Sequence, residues 1–201
     1  LVNLHTGGIQ FGIDNYPDLK DFGSDRRVFS ASVKFLPEKV EQALSLVEEQ
    51  LLQTDFSALG RIRNLVSEIR ASLKDTLLSA GHVAAANRAA SYFSENGLFQ
   101  DATRGIAYYR FLETLSDETA LGAFCKRAAK LLAESAVRDR LLIHLTAEQA
   151  GRETVLPFLR ALRERYPAGG KGAACFQLHR NIRREGFRSA SRVNYVARVG
   201  N

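Results

Sequence analysis

Along residues 55–115 the apolar positions recur at helical spacing, and the run contains no proline. Leu59, Ile62, Val66, Ile69, Leu73, Leu77 and Ala80 step by threes and fours, which places them on one face of a helix. Arg61, Arg63, Glu68, Arg70, Lys74 and Asp75 fall on the opposite face. Asp55 and Ser57 are the candidate N-caps, because a short side-chain oxygen can accept from the orphan N–H groups of a first turn. Past Gly81-His82 the run turns alanine-rich (Ala84, Ala85, Ala86, Ala89, Ala90), and side chains that small let another backbone come close. Ser94-Glu95-Asn96-Gly97 reads as the stop, with Gly97 suited to the left-handed conformation beyond a helix C-terminus. A second helix follows, with Leu98, Ala102, Ile106, Tyr109 and Leu112 on one face.

Upstream, the period changes to two. Residues 2–13 read as a strand interrupted by Gly7-Gly8, with Ile9, Phe11 and Ile13 alternating. Residues 27–36 read as a second strand, with Phe29, Ala31, Val33 and Phe35 on one face, and the two form an antiparallel pair. Pro37 stands where a first helical residue belongs, since its missing N–H has no partner there in any case. Val40, Leu44, Val47 and Leu51 make the buried stripe of the helix it opens, and Glu38 and Glu41 suit the positive end. Downstream, a helix starts at Ser116-Asp117-Glu118 with the stripe Leu121, Phe124, Ala128, Leu131 and Ser135. A strand is expected over 140–146 and a helix over 152–166, with Val155, Leu159 and Leu162 inward and Pro157 in or near its first turns. Gly169-Gly170-Lys171-Gly172 reads as a linker, residues 173–178 as a short strand and 192–199 as a final strand. The pattern predicts an α+β fold, an antiparallel sheet packed against long helices.

Composition narrows the class. With 45% hydrophobic and 25% charged residues in 201, the chain resembles an ordinary globular protein. No run approaches eighteen consecutive apolar residues, so no transmembrane helix is expected. There is no methionine. The chain is therefore expected to be an excised piece of a longer protein, or one whose modified methionines are not written out. The N-terminal residues lack the basic and apolar regions of a signal peptide. Cys125 and Cys175 are too few and too far apart for a disulfide framework and read as reduced structural thiols. The formal charge of +6 is unevenly placed: residues 138–201 hold 13 Lys+Arg against 5 Asp+Glu, whereas residues 1–137 hold 15 against 17. A basic last third suits polyanions, acidic peptide segments or an acidic partner domain.

Three ordered blocks carry a resemblance. The first is His5-Thr6-Gly7-Gly8-Ile9. The second runs from Thr54-Asp55-Phe56 through Gly81-His82 and Asn87-Arg88-Ala89-Ala90-Ser91-Tyr92-Phe93-Ser94 to Gly105-Ile106-Ala107-Tyr108-Tyr109-Arg110-Phe111-Leu112-Glu113. The third is Val193-Asn194-Tyr195-Val196-Ala197 with Gly200-Asn201. Together they resemble the C-terminal, non-catalytic half of the presequence protease-like branch of the pitrilysin/insulinase superfamily of zinc peptidases. The resemblance implies a pitrilysin-type homology domain over 1–166, a connector over 167–190 and the start of the following homology domain over 191–201. It also implies a parent built as two related halves around a chamber, with zinc and the catalytic glutamate in the N-terminal half. The substrate-holding Arg and Tyr of the family are then expected beyond Asn201.

The superfamily's zinc signature, H-x-x-E-H on a helix, sets two imidazoles on one face with a glutamate to polarise water. None of the four histidines fits it: His5 precedes Thr-Gly-Gly-Ile, His82 Val-Ala-Ala-Ala, His144 Leu-Thr-Ala-Glu and His179 Arg-Asn-Ile-Arg. No catalytic, cofactor-binding or metal-ligating residue is therefore assigned in this segment, and zinc is expected in the parent only. The glycines around Lys171 do not satisfy the P-loop pattern, and there is no G-x-S-x-G elbow. Arg180, Arg183, Arg184, Arg188 and Arg192 read as a solvated or interdomain face, without a recognised nucleic-acid motif. Tyr108, Tyr109 and Phe111 read as core plus one exposed ring. The expectation is a chamber-forming, non-catalytic domain of a zinc metalloendopeptidase that degrades short unfolded peptides. Its partners are the catalytic half of the same protein and those peptides, with no membrane and no nucleic acid. The alternative is a helical scaffold or interaction domain without peptidase activity. The compartment is expected to be the cytoplasm in a bacterium and the mitochondrion or plastid in a eukaryote.

Overall fold

A computed structural model describes residues 2–17, 25–169, 183–188 and 193–199. The fold is α+β: one two-stranded antiparallel sheet with a set of helices. The chain divides into two interleaved units.

The first unit comprises Leu1–Gly12, Phe29–Ser57 and Cys125–Ala174. It opens with a short helix α1 (Val2–His5) where the alternation suggested strand. Thr6 closes that turn: its hydroxyl donates to the Val2 carbonyl and accepts from the Gly8 N–H. Gly8 then takes a φ of 112°, which a side chain would strain, and strand β1 (Ile9–Pro17) begins. Its partner β2 (Asp25–Val33) ends three residues short of the expected Leu36, and Phe11 and Phe29 stack across the pair at 5.9 Å. A 3₁₀ turn (Pro37–Lys39) leads into α2 (Val40–Leu52), with Pro37 in its expected place at the first position. Val40, Leu44 and Val47 of the expected stripe are buried, and Leu51 is half-buried.

Val40 and Leu44 meet Val155 and Leu162 of α8 (Gln149–Arg165) and Tyr166 in one core, flanked by Phe35, Ala136, Leu141, Leu145 and Leu159. Helix α8 starts three residues earlier than its periodicity indicated, so Pro157 lies inside it and not in the first turns. The pyrrolidine nitrogen offers no hydrogen there, which removes one ladder bond. Residues 141–148 are irregular, not a strand. Leu141, Ile143 and Leu145 still alternate inward against exposed Leu142 and His144, because packing needs the alternation and not a ladder.

The second unit comprises Ile13–Val28, Ala58–Phe124 and Cys175–Asn201. The proline-free run is four helices: α3 (Leu59–Ser79), α4 (Gly81–Ala90), α5 (Glu95–Arg104) and α6 (Ile106–Thr114). Helix α7 (Glu118–Ser135) follows. Ala58, not Asp55 or Ser57, precedes α3, and the Asp55 carboxylate accepts from the Ser57 N–H in a local turn instead. The expected second helix is broken at Gly105: of its expected face Leu112 is buried, Leu98, Ile106 and Tyr109 are half-buried and Ala102 is exposed, while Phe99 and Asp101 are buried on α5.

Gly97 is not a C-cap. Ser94 is the N-cap of α5 and its hydroxyl accepts from the Gly97 N–H at 2.9 Å, so Gly97 sits in the first turn. A Cβ there would come within 2.5 Å of the Ala90 carbonyl oxygen, so the glycine serves a close approach to the end of the alanine-rich α4. In α7, Leu121 is fully buried and Phe124 half-buried, while Leu131 of the expected stripe is 66% exposed. The Asp117 carboxylate accepts from the Ala120 N–H at its start. Residues 194–199 have no regular structure where a strand was expected; a period-two pattern becomes a strand only beside a partner. The expected strand over 173–178 lies outside the described residues, as do Gly170, Lys171 and Gly172.

Candidate functional site

Among the described residues, a polar cluster within the second unit is built from four stretches of chain. Helix α4 supplies Arg88, and the turn after it supplies Tyr92, one helical turn further on and thus on the same face. Helix α5 supplies Asp101, α6 supplies Arg110, and the irregular residues 183–188 supply Glu185 and Phe187. Asp101 is 1% exposed. Its Oδ2 accepts from Arg88 Nη1 at 2.5 Å, and its Oδ1 accepts from the Ala107 N–H at 3.3 Å, so it also caps the first turn of α6. Gly105 makes room for it: a Cβ there would stand 2.5 Å from Oδ1.

Glu185 approaches the same guanidinium from the other side. Its Oε2 accepts from Arg88 Nε at 2.8 Å and Nη2 at 2.7 Å and from the Tyr92 hydroxyl, and its Oε1 lies 3.8 Å from Arg110 Nη1. The Phe187 ring lies under both guanidinium groups, 5.0 Å from Arg110 and 6.0 Å from Arg88, and Arg88 also stands 5.3 Å from the Tyr92 ring. Two carboxylates and two guanidinium groups thus balance.

The electrostatics follow from the geometry. The Tyr92 hydrogen bond, then those from Arg88, hold the Glu185 carboxyl below the ordinary carboxylate range, against the burial that works the other way. Burial, and then the hydrogen bond to Glu185, push the Tyr92 phenol up. Burial works against the charge on Arg88, but its bonds to Glu185 and Asp101 outweigh this and raise its pKa, so it stays protonated. A carboxylate saturated by donors is a poor general base. The cluster is an electrostatic clasp between chain segments.

A second contact joins α4 to residues 193–199. The Tyr195 ring lies over Gly81, where a Cβ would come within 2.4 Å of a ring carbon, and its centroid is 6.0 Å from that of His82. Elsewhere the second unit has an open groove of about 520 Å³ lined by Ile69, Leu73, Arg104 and Tyr108 among others, and the first a recess of about 400 Å³ lined by His5, Lys34 and Lys39 among others.

The residues weighed in the sequence are scattered. His5 ends α1, with a buried Nδ1 that has no hydrogen-bond partner; His82 and His144 are exposed; His179 lies outside the described residues. Among the described residues no group of three or more His, Cys, Asp or Glu side chains is placed to hold a metal ion. Cys125 is a buried free thiol, and Cys175 lies outside the described residues. Tyr108 and Tyr109 are half-buried, whereas Phe111 is 43% exposed and meets Phe124 edge-on at 5.8 Å.

Of the arginine-dense stretch, Arg183, Arg184 and Arg188 are exposed, and Arg180 and Arg192 lie outside the described residues. The side chain of that stretch that joins the cluster is the acid among the arginines, Glu185, which the charge count passes over. Its one signal in sequence is that it stands alone in a basic run.

Residues 1–115 match the model of the family described as peptidase M16 subfamily C associated. Among curated proteins, the chain is 26% identical over 200 residues to Protein HypA of Clostridium perfringens, covering all of this chain and 21% of that protein. It is 30% identical over 115 residues to the mitochondrial presequence protease of Yarrowia lipolytica, covering 57% of this chain and 12% of that protein. It is 26% identical over 211 residues to presequence protease 1, chloroplastic/mitochondrial, of Arabidopsis thaliana, covering all of this chain and 19% of that protein. The chain thus spans about a fifth or less of the length of these relatives.

Proposed function

The chain belongs to the peptidase M16 subfamily C associated family, and from that premise we propose that it is a non-catalytic domain of a metalloendopeptidase, forming part of the wall of the chamber in which the parent cleaves short unfolded peptides. The observation that carries the reading is the family match over residues 1–115, joined to a chain that contains no H-x-x-E-H. A peptidase-associated segment without the zinc signature has a structural task, and its partner is the catalytic portion of the same polypeptide. Residues 1–166 form the homology domain in this reading, 167–190 the connector and 191–201 the opening of the next homology domain. Zinc, as the Lewis acid that activates water, belongs to the catalytic portion. What this chain contributes is a fixed surface, held by cores such as that of α2 and α8 and by the clasp on Arg88. The presequence proteases among the relatives are named for mitochondria and chloroplasts, and the same organelles are proposed here if the source is a eukaryote.

The test uses the full-length protein. Replacing His5, His82, His144 and His179 together by Gln is expected to leave zinc content by atomic absorption unchanged, with cleavage of an unfolded peptide retained within a factor of about three, the range of structural rather than ligand loss. Loss of stoichiometric zinc would place a ligand in this chain. A full-length protein that neither binds zinc nor cleaves peptides would leave the helical scaffold.

A further inference from the structure

The recess of about 400 Å³ in the first unit is lined on one side by α1 and the turn after it, and on the other by residues 34–39. Its walls carry two kinds of chemistry. Leu4, Phe35 and Leu36 are apolar, and Leu4 and Leu36 are 71% and 62% exposed. His5, Lys34 and Lys39 stand among them, and no Asp or Glu lines the recess. We propose that this recess binds an apolar carboxylate, the chemistry presented by the last residue of a peptide ending in Leu. This inference concerns the first unit alone and does not depend on the proposed function.

Three observations support the ligand. The first is uncompensated charge. Among the described residues neither the Lys34 nor the Lys39 side chain makes an ion pair or a hydrogen bond, and His5 Nδ1 has no hydrogen-bond partner. Two ammonium groups at one recess, with no carboxylate from the fold beside them, attract an anion. The second is a backbone fixed in advance. The Gly7 N–H donates to the Lys34 carbonyl at 2.7 Å, which holds that lysine against the turn after α1. The Lys39 N–H donates to the Leu36 carbonyl at 2.8 Å in the turn that Pro37 opens. Binding therefore orders lysine side chains and leaves the chain that carries them in place, which keeps its entropic cost low. The third is the apolar lining. Exposed ion pairs are weak, so measurable affinity needs a second contribution. Leu4, Phe35 and Leu36 offer it to an apolar group next to the carboxylate and not to a small hydrophilic anion. The volume lies at the small end of the range for ligand pockets, which suits a chain end and not a long segment.

Titration of the full chain, followed by its amide NMR resonances, tests this. The probes are acetyl-Ala-Ala-Leu with a free carboxylate, the same peptide as its C-terminal amide, and octanoate. The free-carboxylate peptide is expected to shift the resonances of Gly7, Lys34 and Leu36 with a dissociation constant of about 1 mM or below, and the amide to bind about tenfold more weakly. Lys34→Gln and Lys39→Gln are each expected to weaken binding about twofold to fivefold, the range of one exposed ion pair. Lys34 is exposed, so its variant keeps the fold, and resonances away from the recess are expected to stay in place. Octanoate binding more weakly than the peptide would support a peptide end as the source of the carboxylate. Octanoate binding more tightly would uphold the recess and make the source a free apolar acid. No shift at the recess up to about 10 mM of either carboxylate would overturn the proposal. Equal shifts by acid and amide, or lysine variants of unchanged affinity, would overturn it as well.

Discussion

Asp101 has three tasks: it pairs with Arg88, caps α6 through Ala107 and fills the space that Gly105 leaves. Asp101→Ala removes one hydrogen-bond partner of Arg88, which keeps Glu185, and the acceptor for the Ala107 N–H, and a loss of about 1–3 kcal/mol is expected in urea denaturation. Glu185 adds a pH dependence, with Arg88, Arg110, Tyr92 and Asp101 as the charged and titratable groups around it. Its folded-state pKa lies below the ordinary value near 4.5, so its stabilisation is complete above that value and is lost as pH falls through the lowered one. The Tyr92 phenol is shifted up from 10.0, so its contribution is present below that pH and is lost as pH rises through the raised value. Stability measured against pH is expected to fall on both limbs, and Glu185→Gln is expected to flatten the acid limb. A sequence pattern cannot show this residue's role, because Glu185 and Arg88 are 97 residues apart.

At the scale of the element, stripes and caps explain most of what forms. Pro37 opens the turn before α2, and Val40, Leu44 and Val47 are buried one turn apart, all readable from spacing. The breaks are less readable. Ala80, at φ −116° and ψ 44°, leaves helical geometry between α3 and α4, although alanine is the best helix former. At Ser94 the sign of the signal reverses: the residues that look like a stop are a start. Ser94→Ala removes the acceptor for the Gly97 N–H and is expected to cost about 1 kcal/mol, with faster exchange of the Gly97 amide in the first turn of α5 as the local readout. A C-cap role for Gly97 would instead leave that amide unaffected.

In the whole molecule each unit has its own buried apolar centre. Leu44 meets Val155, Leu162 and Tyr166 in the first, and Leu121 is 0% exposed in the second. Leu44→Ala and Leu121→Ala are each expected to cost about 2–5 kcal/mol in denaturant titrations, the range for a buried leucine whose site cannot collapse. Helix α3 contrasts with both. It has 21 residues and none of them is buried, and Leu65 and Ile69 are 47% and 45% exposed. An alanine substitution at Leu65 is accordingly expected to change the stability of this chain by less than about 1 kcal/mol, because little apolar area leaves the protein interior with it.

The sequence by itself determined the α+β class, the buried stripes of α2 and α8, the family to which three ordered blocks point, and the lack of an H-x-x-E-H. Each of these is a property of residues a few positions apart or of motif order, and neighbours along the chain are enough to express it. Only the tertiary structure decided that Gly97 serves a close approach to Ala90, that 141–148 alternates without a sheet, and that the lone acid in an arginine run closes on Arg88. Those outcomes depend on which distant segments meet, and contacts between distant segments are settled by burial and charge balance across the folded chain, to which local periodicity is blind.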